Sequence, residues 1–379
     1  LIIQGDARFL PLKAESVQCC VTSPPYFGLR DYGTAEWQGG DSKCDHRDAS
    51  ALAERLRQKK SMIAVGEKID GSIRTRIHDE QIGRTVQYRQ SCLKCGAIRI
   101  DKQIGLEKSP EIYVQELVQV FREVWRVLKK DGAVFCNLGD SYWGGKGSNG
   151  SSKARRTAGE RGYAQSGGTV MMDTRPTDGK HGTLKPKDLI GIPWRVAFAL
   201  QADGWWLRQD IVWSKPNPMP ESVTDRCTKS HEYLFLLSKS KKYFYDADAI
   251  KIQGTGNKWG KYSNPKYGHG STGKMQSVKK MTKDEYIKKY KKVNKKTVWT
   301  IATKPFKGAH FAVMPEKLVE PCILAGSKPG DVILDPFAGS CTVGKVAERH
   351  GREFVGIELN WEYIGLGKRR LSHNQVKLI

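Results

Sequence analysis

The segment Thr22-Ser23-Pro24-Pro25-Tyr26 follows the apolar run Val17-Gln18-Cys19-Cys20-Val21, so a buried strand ends in a stiff loop that carries a ring. Two consecutive prolines fix φ and have no N–H to donate, which leaves their carbonyls as outward acceptors beside the tyrosine. A hydroxyl, carbonyl oxygens and an aromatic face suit a planar amine, with hydrogen bonds in its plane and stacking on its face.

A second constellation lies near the other end of the chain. Asp331-Val332-Ile333-Leu334-Asp335 reads as a strand, Pro336 to Gly344 as a small-residue turn, and Lys345 to His350 as the helix after it. Gly339 lets the backbone approach a ligand closely, and the free N–H groups of the helix start face the same place. The strand Glu353 to Ile357 then delivers Glu358, about twenty residues after the turn, where a carboxylate can accept both hydroxyls of a ribose. The same turn, Gly339-Ser340-Cys341-Thr342-Val343-Gly344-Lys345, has the spacing of a phosphate-binding loop. Val346 stands where that loop needs Ser or Thr for magnesium, which weakens a nucleotide-hydrolase reading. An ordinary strand-to-helix connection would explain the turn by itself but not the acid after the next strand.

A third cluster pairs Cys44 and His46 with Cys92 and Cys95. Cys-x-x-Cys followed by Gly96 is a metal knuckle, because two thiolates at that spacing share one tetrahedral ion. Four protein ligands leave no open position, so the ion would be a structural zinc rather than a catalytic one. A redox pair or unrelated surface thiols is the alternative. The chain has nine cysteines, an odd number scattered over its length, which suits a reducing compartment better than a disulfide framework.

Positioning these groups requires a sheet. Short β-rich or apolar runs at Ala133 to Leu138, Gln209 to Trp213, Tyr233 to Leu237, Val332 to Leu334 and Phe354 to Ile357 suit its buried centre. Leu117, Val120, Phe121, Val124 and Leu128 make one apolar stripe on a helix over Pro110 to Lys130, closed by Asp131-Gly132. A second helix runs from Ile192 to Ala202, with Pro193 in its first turn and Gly204 past its end. The alternation predicts an α/β layered fold around a central, mostly parallel sheet.

Charge points to the partner. Of 379 residues, 64 are Lys or Arg and 40 Asp or Glu, a formal charge of +24 that favours a polyanion. No apolar stretch approaches the roughly 20 residues of a bilayer span. Leu189 to Trp206, the longest mixed candidate, is broken by Pro193, Arg195 and Asp203, so no membrane partner is expected. The N-terminal residues lack the features of a secretory signal, which predicts a cytoplasmic protein. Residues 144 to 187, rich in Gly, Ser and basic side chains, read as a mobile loop. Residues 251 to 300 hold fourteen Lys and only Asp284 and Glu285, half of the net charge. A solvated linker would explain a bare Lys run. The interleaved Trp259, Tyr262, Tyr267, Tyr286, Tyr290 and Trp299 favour phosphate contact instead, with Lys279, Lys280, Lys288, Lys289, Lys291 and Lys292 as the candidates.

Taken together, these residues resemble the amino-group DNA methyltransferases. That family's catalytic loop reads Asp, Asn or Ser, then Pro-Pro and an aromatic residue, and its cofactor turn reads Asp-Pro-Phe-Ala-Gly-Ser-Gly. With the loop at 23 to 26 and the turn at 335 to 344, the order resembles the permuted β group. The segments Trp213 to Glu221, His231 to Phe235 and His310 to Leu318 resemble its central region and the stretch before its cofactor turn. The resemblance implies a Rossmann-like, S-adenosylmethionine-dependent fold with circularly permuted motifs. It implies catalytic roles for Ser23, Pro24, Pro25 and Tyr26. Asp335, Pro336, Phe337, Gly339, Ser340, Thr342 and Glu358 would lie around S-adenosylmethionine, and Asp6 on its adenine amine. Residues 1–34, 106–240 and 310–379 would form the catalytic domain, 35–105 a zinc-binding insertion of the kind found in phage-type relatives, and 241–309 the Lys-rich target-recognition region. Double-stranded DNA would be the substrate and a cognate restriction enzyme a partner.

The Ser form of the loop is associated with cytosine N4, whereas the Asp and Asn forms usually act on adenine N6, which stays as the alternative. Cys341 departs from the family, which has glycine there, and so leaves the tightness of the cofactor turn open. That departure makes a catalytically silent DNA-binding protein the competing reading. Carbon-5 methylation would need a cysteine nucleophile, and Cys322 is a superficial candidate that reads instead as a core residue on a helix.

Overall fold

The computed structural model describes residues 1–28, 32, 34–46, 91–92, 94–144, 181–254, 292–303 and 313–371. In chain order the strands are β1 (Ile2–Gln4), β2 (Val17–Thr22), β3 (Glu36–Gln38), β4 (Ile98–Ile100), β5 (Leu128–Leu138), β6 (Trp206–Ser214), β7 (His231–Ser238), β8 (Ile252–Gln253), β9 (Lys292–Val293), β10 (Val298–Thr300), β11 (Val332–Asp335) and β12 (Glu353–Glu358). The α-helices are α1 (Pro110–Val127), α2 (Ile192–Ala202), α3 (Glu316–Gly326), α4 (Thr342–Arg349) and α5 (Trp361–Arg370).

Eight strands form one sheet in the order β1-β12-β11-β2-β5-β7-β6-β10. Only β7 runs against its neighbours; every other pairing in the sheet is parallel. The C-terminal strands β11 and β12 therefore sit between β1 and β2, the first two strands of the chain. Side chains alternate between two cores, as strands buried on both faces require. Along β2 and β5, Val17, Cys20, Val134, Cys136 and Leu138 join α1 and α2 in one core. Cys19, Val21, Ala133 and Phe135 join α3 and α4 in the other. The result is a three-layer α/β/α fold.

The stripe on α1 is buried as its spacing predicts, and Ser109 caps the helix by accepting from the Ile112 N–H. The helix stops at Val127 rather than Lys130, because Leu128 is already extended and pairs with Val17 across a register shift. Asp131-Gly132 thus marks an irregularity inside β5, not a turn after a helix. A Cβ on Gly132 would lie 2.5 Å from Leu128 Cγ, so the close approach needs glycine. The remaining strands run longer than their apolar cores suggested, as Trp206–Ser214 does.

β10 falls within 241–309 yet forms an edge of the main sheet, paired with β6. Val298–Thr300 therefore belongs with the main sheet and not with a separate 241–309 region. At the other insertion, β3 and β4 pair antiparallel, bringing residues 36–38 against 98–100. Lys279, Lys280, Lys288, Lys289 and Lys291 lie outside the described residues, as does most of the 144–187 loop. Among the described residues, no helix is long and apolar enough to cross a membrane.

Candidate active site

Parallel strands present their C-terminal ends at one edge, where ligands of open α/β sheets bind. Neighbouring β2 and β11 end there in Thr22 and Asp335, and the hydroxyl of Thr22 donates to Asp335 Oδ1 at 2.7 Å. The Phe337 N–H donates to the same oxygen at 3.1 Å. This joins the Ser23–Tyr26 loop to the Pro336–Cys341 turn. Asp335 is 2 % exposed, and burial pushes its carboxyl up to about 7 against the opposing pull of those two donors. On the next strand, Glu358 accepts from the Gly339 N–H and the Asn360 N–H, each at 2.8 Å, one on each oxygen. Each oxygen keeps a second lone pair for a hydroxyl.

Cys341 resolves the departure in the turn. It sits at φ +57 and ψ +39 as the residue before α4, the left-handed conformation that a glycine would adopt there. Its thiol is fully buried where Gly367 of α5 has no side chain; a Cβ there would lie 2.5 Å from Cys341 Sγ. Arg370 of α5 braces the turn by donating to the Ser340 carbonyl at 2.5 Å. Lys345, the lysine of the phosphate-loop spacing, pairs with Glu316 on α3 at 2.9 Å. Asp6 is engaged by Arg8, which closes on both of its oxygens and reaches Glu116 as well. Cys322 is buried on α3 and donates to the Leu318 carbonyl, a core residue as expected.

The Pro-Pro loop is held from three sides. Tyr113 of α1 donates to the Pro25 carbonyl at 2.8 Å, which leaves Pro24 as the proline whose carbonyl can meet a substrate amine. Gly139 lies against the Tyr26 ring, where any Cβ would come within 2.3 Å of Cε2. The Tyr26 hydroxyl donates to Glu232 Oε2 at 2.6 Å and accepts from Asn137 Nδ2 at 2.6 Å and from Ser23 Oγ at 3.5 Å. Asn137 also donates to Glu232 Oε2 at 2.7 Å, and Lys215 pairs with Glu232 Oε1. Sequence reasoning singled out none of Tyr113, Asn137, Lys215 and Glu232 as site residues. The available signals were an amide, Asn137, inside the otherwise apolar run Ala133 to Leu138, and the family resemblance of the segments that hold Lys215 and Glu232. Beside them, Asp140 Oδ1 accepts from the N–H groups of Gly191 and Ile192 at the start of α2, and Lys229 lies 3.9 Å from its other oxygen.

The four predicted metal ligands come together, with all ligand atoms within 4.8 Å of one another. Cys44 Sγ lies 3.7 Å from Cys92 Sγ, and Cys95 Sγ 3.5 Å from His46 Nδ1. Tetrahedral zinc with ordinary bond lengths would set these separations at about 3.8 Å and about 3.6 Å. The His46 ring stacks on Trp37 with centroids 4.5 Å apart, and Gly40 leaves room for Cys95 Sγ. Of the six candidate DNA-binding lysines, only Lys292 is described, on β9 opposite Gln253.

A family model described as DNA methylase, of the N6/N4 type, matches residues 17–369. The chain is 39% identical to the Type II methyltransferase M.Cfr9I of Citrobacter freundii, with 100% of this chain and 89% of that one aligned. It is also 39% identical to the Type II methyltransferase M.SmaI of Serratia marcescens, over 98% of this chain and 90% of that one. The solved structure of PvuII DNA methyltransferase (cytosine-N4-specific) superposes with a TM-score of 0.52 over 99% of this chain and 87% of that one, at 16% identity, a likeness of fold.

The turn generates two expectations. Cys341→Gly relieves the left-handed strain that Cys341→Ala retains, so in urea unfolding the Gly variant should be the more stable by about 1 kcal/mol, the reverse of the usual order. Asp335, with its pKa raised to about 7, binds a proton when folded that the unfolded chain releases above 3.8. Its burial therefore costs no stability below that value, and the cost grows as pH rises and is complete above about 7. Unfolding at a series of pH values should show Asp335→Asn gaining on the wild type across that window; a constant difference between the two would contradict it.

Proposed function

The chain belongs to the N6/N4 DNA methylase family and is an S-adenosylmethionine-dependent DNA amino-methyltransferase, and we propose that it methylates cytosine N4 through the Ser23-Pro24-Pro25-Tyr26 loop. The observation that carries this assignment of the site is the Thr22–Asp335 hydrogen bond, which sets that loop beside the Gly339 turn. An exocyclic amine conjugated into a base is a poor nucleophile, so alignment is the main task. Ser23 Oγ and the Pro24 carbonyl would accept the two amine N–H groups and favour an sp³-like nitrogen, while Tyr26 faces the base. The base must leave the duplex to reach them, at a cost of about a few kcal/mol offset by stacking and backbone contacts. The Lys-rich segment would supply many of those contacts. The serine of the loop favours cytosine, through its association within the family; adenine N6 is the second reading.

The turn fits S-adenosylmethionine on its own chemistry. Gly339, at φ +48, gives the close approach, and Glu358 retains lone pairs for ribose hydroxyls. Pro336, Phe337, Ser340 and Thr342 would complete the surround, whereas Asp6, held by Arg8, would have to share its carboxylate with an adenine amine. Bound there, the cofactor supplies an electrophilic methyl group on sulfur. The permuted β-group order fits the positions of loop and turn. A restriction endonuclease as counterpart is supported by the Type II designation of the named relatives.

A structural zinc on Cys44, His46, Cys92 and Cys95 is the second part of the proposal. Its support is the tetrahedral match of the Cys44–Cys92 and Cys95–His46 separations and the closed set of four ligands. Its task would be to hold the ends of the 35–105 insertion against the β3–β4 pair.

Tritiated methyl transfer to unmethylated DNA, followed by nucleoside mass spectrometry, should yield N4-methylcytosine. Recovery of N6-methyladenine alone would overturn the choice of base. Metal analysis of the purified wild type should give about one zinc per chain, reduced in Cys92→Ser; a metal-free wild type would refute the zinc.

A further inference from the structure

Methyl transfer to an exocyclic amine leaves a proton to be removed. The nitrogen lone pair forms the C–N bond as the C–S pair returns to sulfur, and one N–H proton must leave for the base to regain its neutral form. The alignment described above does not say where it goes.

The hydrogen bonds beneath the loop all point one way. Ser23 Oγ donates to the Tyr26 hydroxyl, and Tyr26 donates to Glu232 Oε2 at 2.6 Å. Glu232 lies at the start of β7, in the segment His231 to Phe235 that resembles the family's central region, and the resemblance gives it no role of its own. Its carboxylate accepts from Tyr26, Asn137 and Lys215, so the chain of donors that begins at Ser23 ends there. The arrangement is kept at a cost: Asn137 turns its amide nitrogen to Glu232 and Tyr26, and its own buried Oδ1 has no hydrogen-bond partner among the described residues. A clamp needed only to hold a tyrosine ring would not require a carboxylate, a lysine to compensate it and an orphaned amide oxygen.

Resting on the methyltransferase reading, we propose that Glu232 is the terminal acceptor of the proton released from the target amine, relayed through Ser23 and Tyr26. The amine proton passes to Ser23 Oγ, the Ser23 proton to the Tyr26 oxygen, and the Tyr26 proton to Glu232 Oε2. The balance closes: the sulfonium becomes a neutral thioether, the carboxylate a neutral acid, and the methylated amine is uncharged. Glu232 then returns its proton to solvent. Its contacts are with Tyr26, Asn137 and Lys215, so it is a relay residue that acts through Tyr26.

Single-turnover methyl transfer on saturating duplex tests this. Glu232→Gln should slow the transfer about 100-fold, the scale of a lost general base, with affinities for DNA and for S-adenosylmethionine unchanged. Tyr26→Phe keeps the ring and removes the relay hydroxyl, and should slow transfer comparably. The double variant should be no slower than the slower single one, because both break one path. Glu232→Asp, which keeps a carboxylate, should recover part of the rate. A Glu232→Gln rate within about threefold of wild type, losses that multiply in the double variant, or affinities that fall in step with the rate would each overturn the relay. A wild type that methylates no DNA would instead overturn the reading on which the relay rests.

Discussion

The hydroxyl of Thr22 and the carboxylate of Asp335 are separated by 313 residues and by 2.7 Å. That contact ties together the two loops that leave the sheet edge. It exists because β2 and β11 are adjacent parallel strands, so the residue that ends each one faces the same crevice. With Asp335 fully enclosed, the oxygen that takes the Thr22 proton also takes the Phe337 N–H, and so sets the path of both loops as they leave the sheet. A buried carboxylate is an expensive anchor, and its raised pKa is the sign of that expense. What it secures is a fixed distance between the Ser23–Tyr26 loop and the Gly339 turn.

The rest of the fold follows from making that edge rigid. Strands whose side chains alternate between two apolar cores cannot slip by one residue without exposing a whole face. α1 contributes more than cover, since Tyr113 reaches from it to the Pro25 carbonyl and selects which proline carbonyl remains available. α5 does the same for the other loop, where Gly367 gives space to the Cys341 thiol and Arg370 ties down Ser340. In the sequence, the lysines concentrate in residues 251–300, the stretch that leads into the edge strand β10.

Much of this was legible in the sequence because it rests on local patterns. The apolar runs marked every central strand, the α1 stripe marked its buried face, and the two loops announced themselves through proline and glycine. The end of α1 was misplaced because Asp131-Gly132 looks the same as a helix stop and as an irregularity in a strand; pairing with Val17, 111 residues earlier in the chain, decides which. Cys341 looked like a flaw because its tolerance depends on Gly367, a residue on another helix. Glu232 was out of reach for the same reason: its partner Tyr26 is 206 residues away, and nothing in His231-Glu232-Tyr233 says which side chain faces the loop. Only contacts made by neighbours in sequence, or by strongly patterned elements, could be read ahead of the fold.

The central claim is that the Ser23–Tyr26 loop and the Gly339 turn form one site around a target amine. A crystal structure with S-adenosylhomocysteine and a target duplex tests it most directly. The account predicts the thioether sulfur between the two loops, and the amine about 3 Å from Ser23 Oγ and the Pro24 carbonyl. A flipped base held elsewhere, with those two acceptors facing no amine, would contradict it.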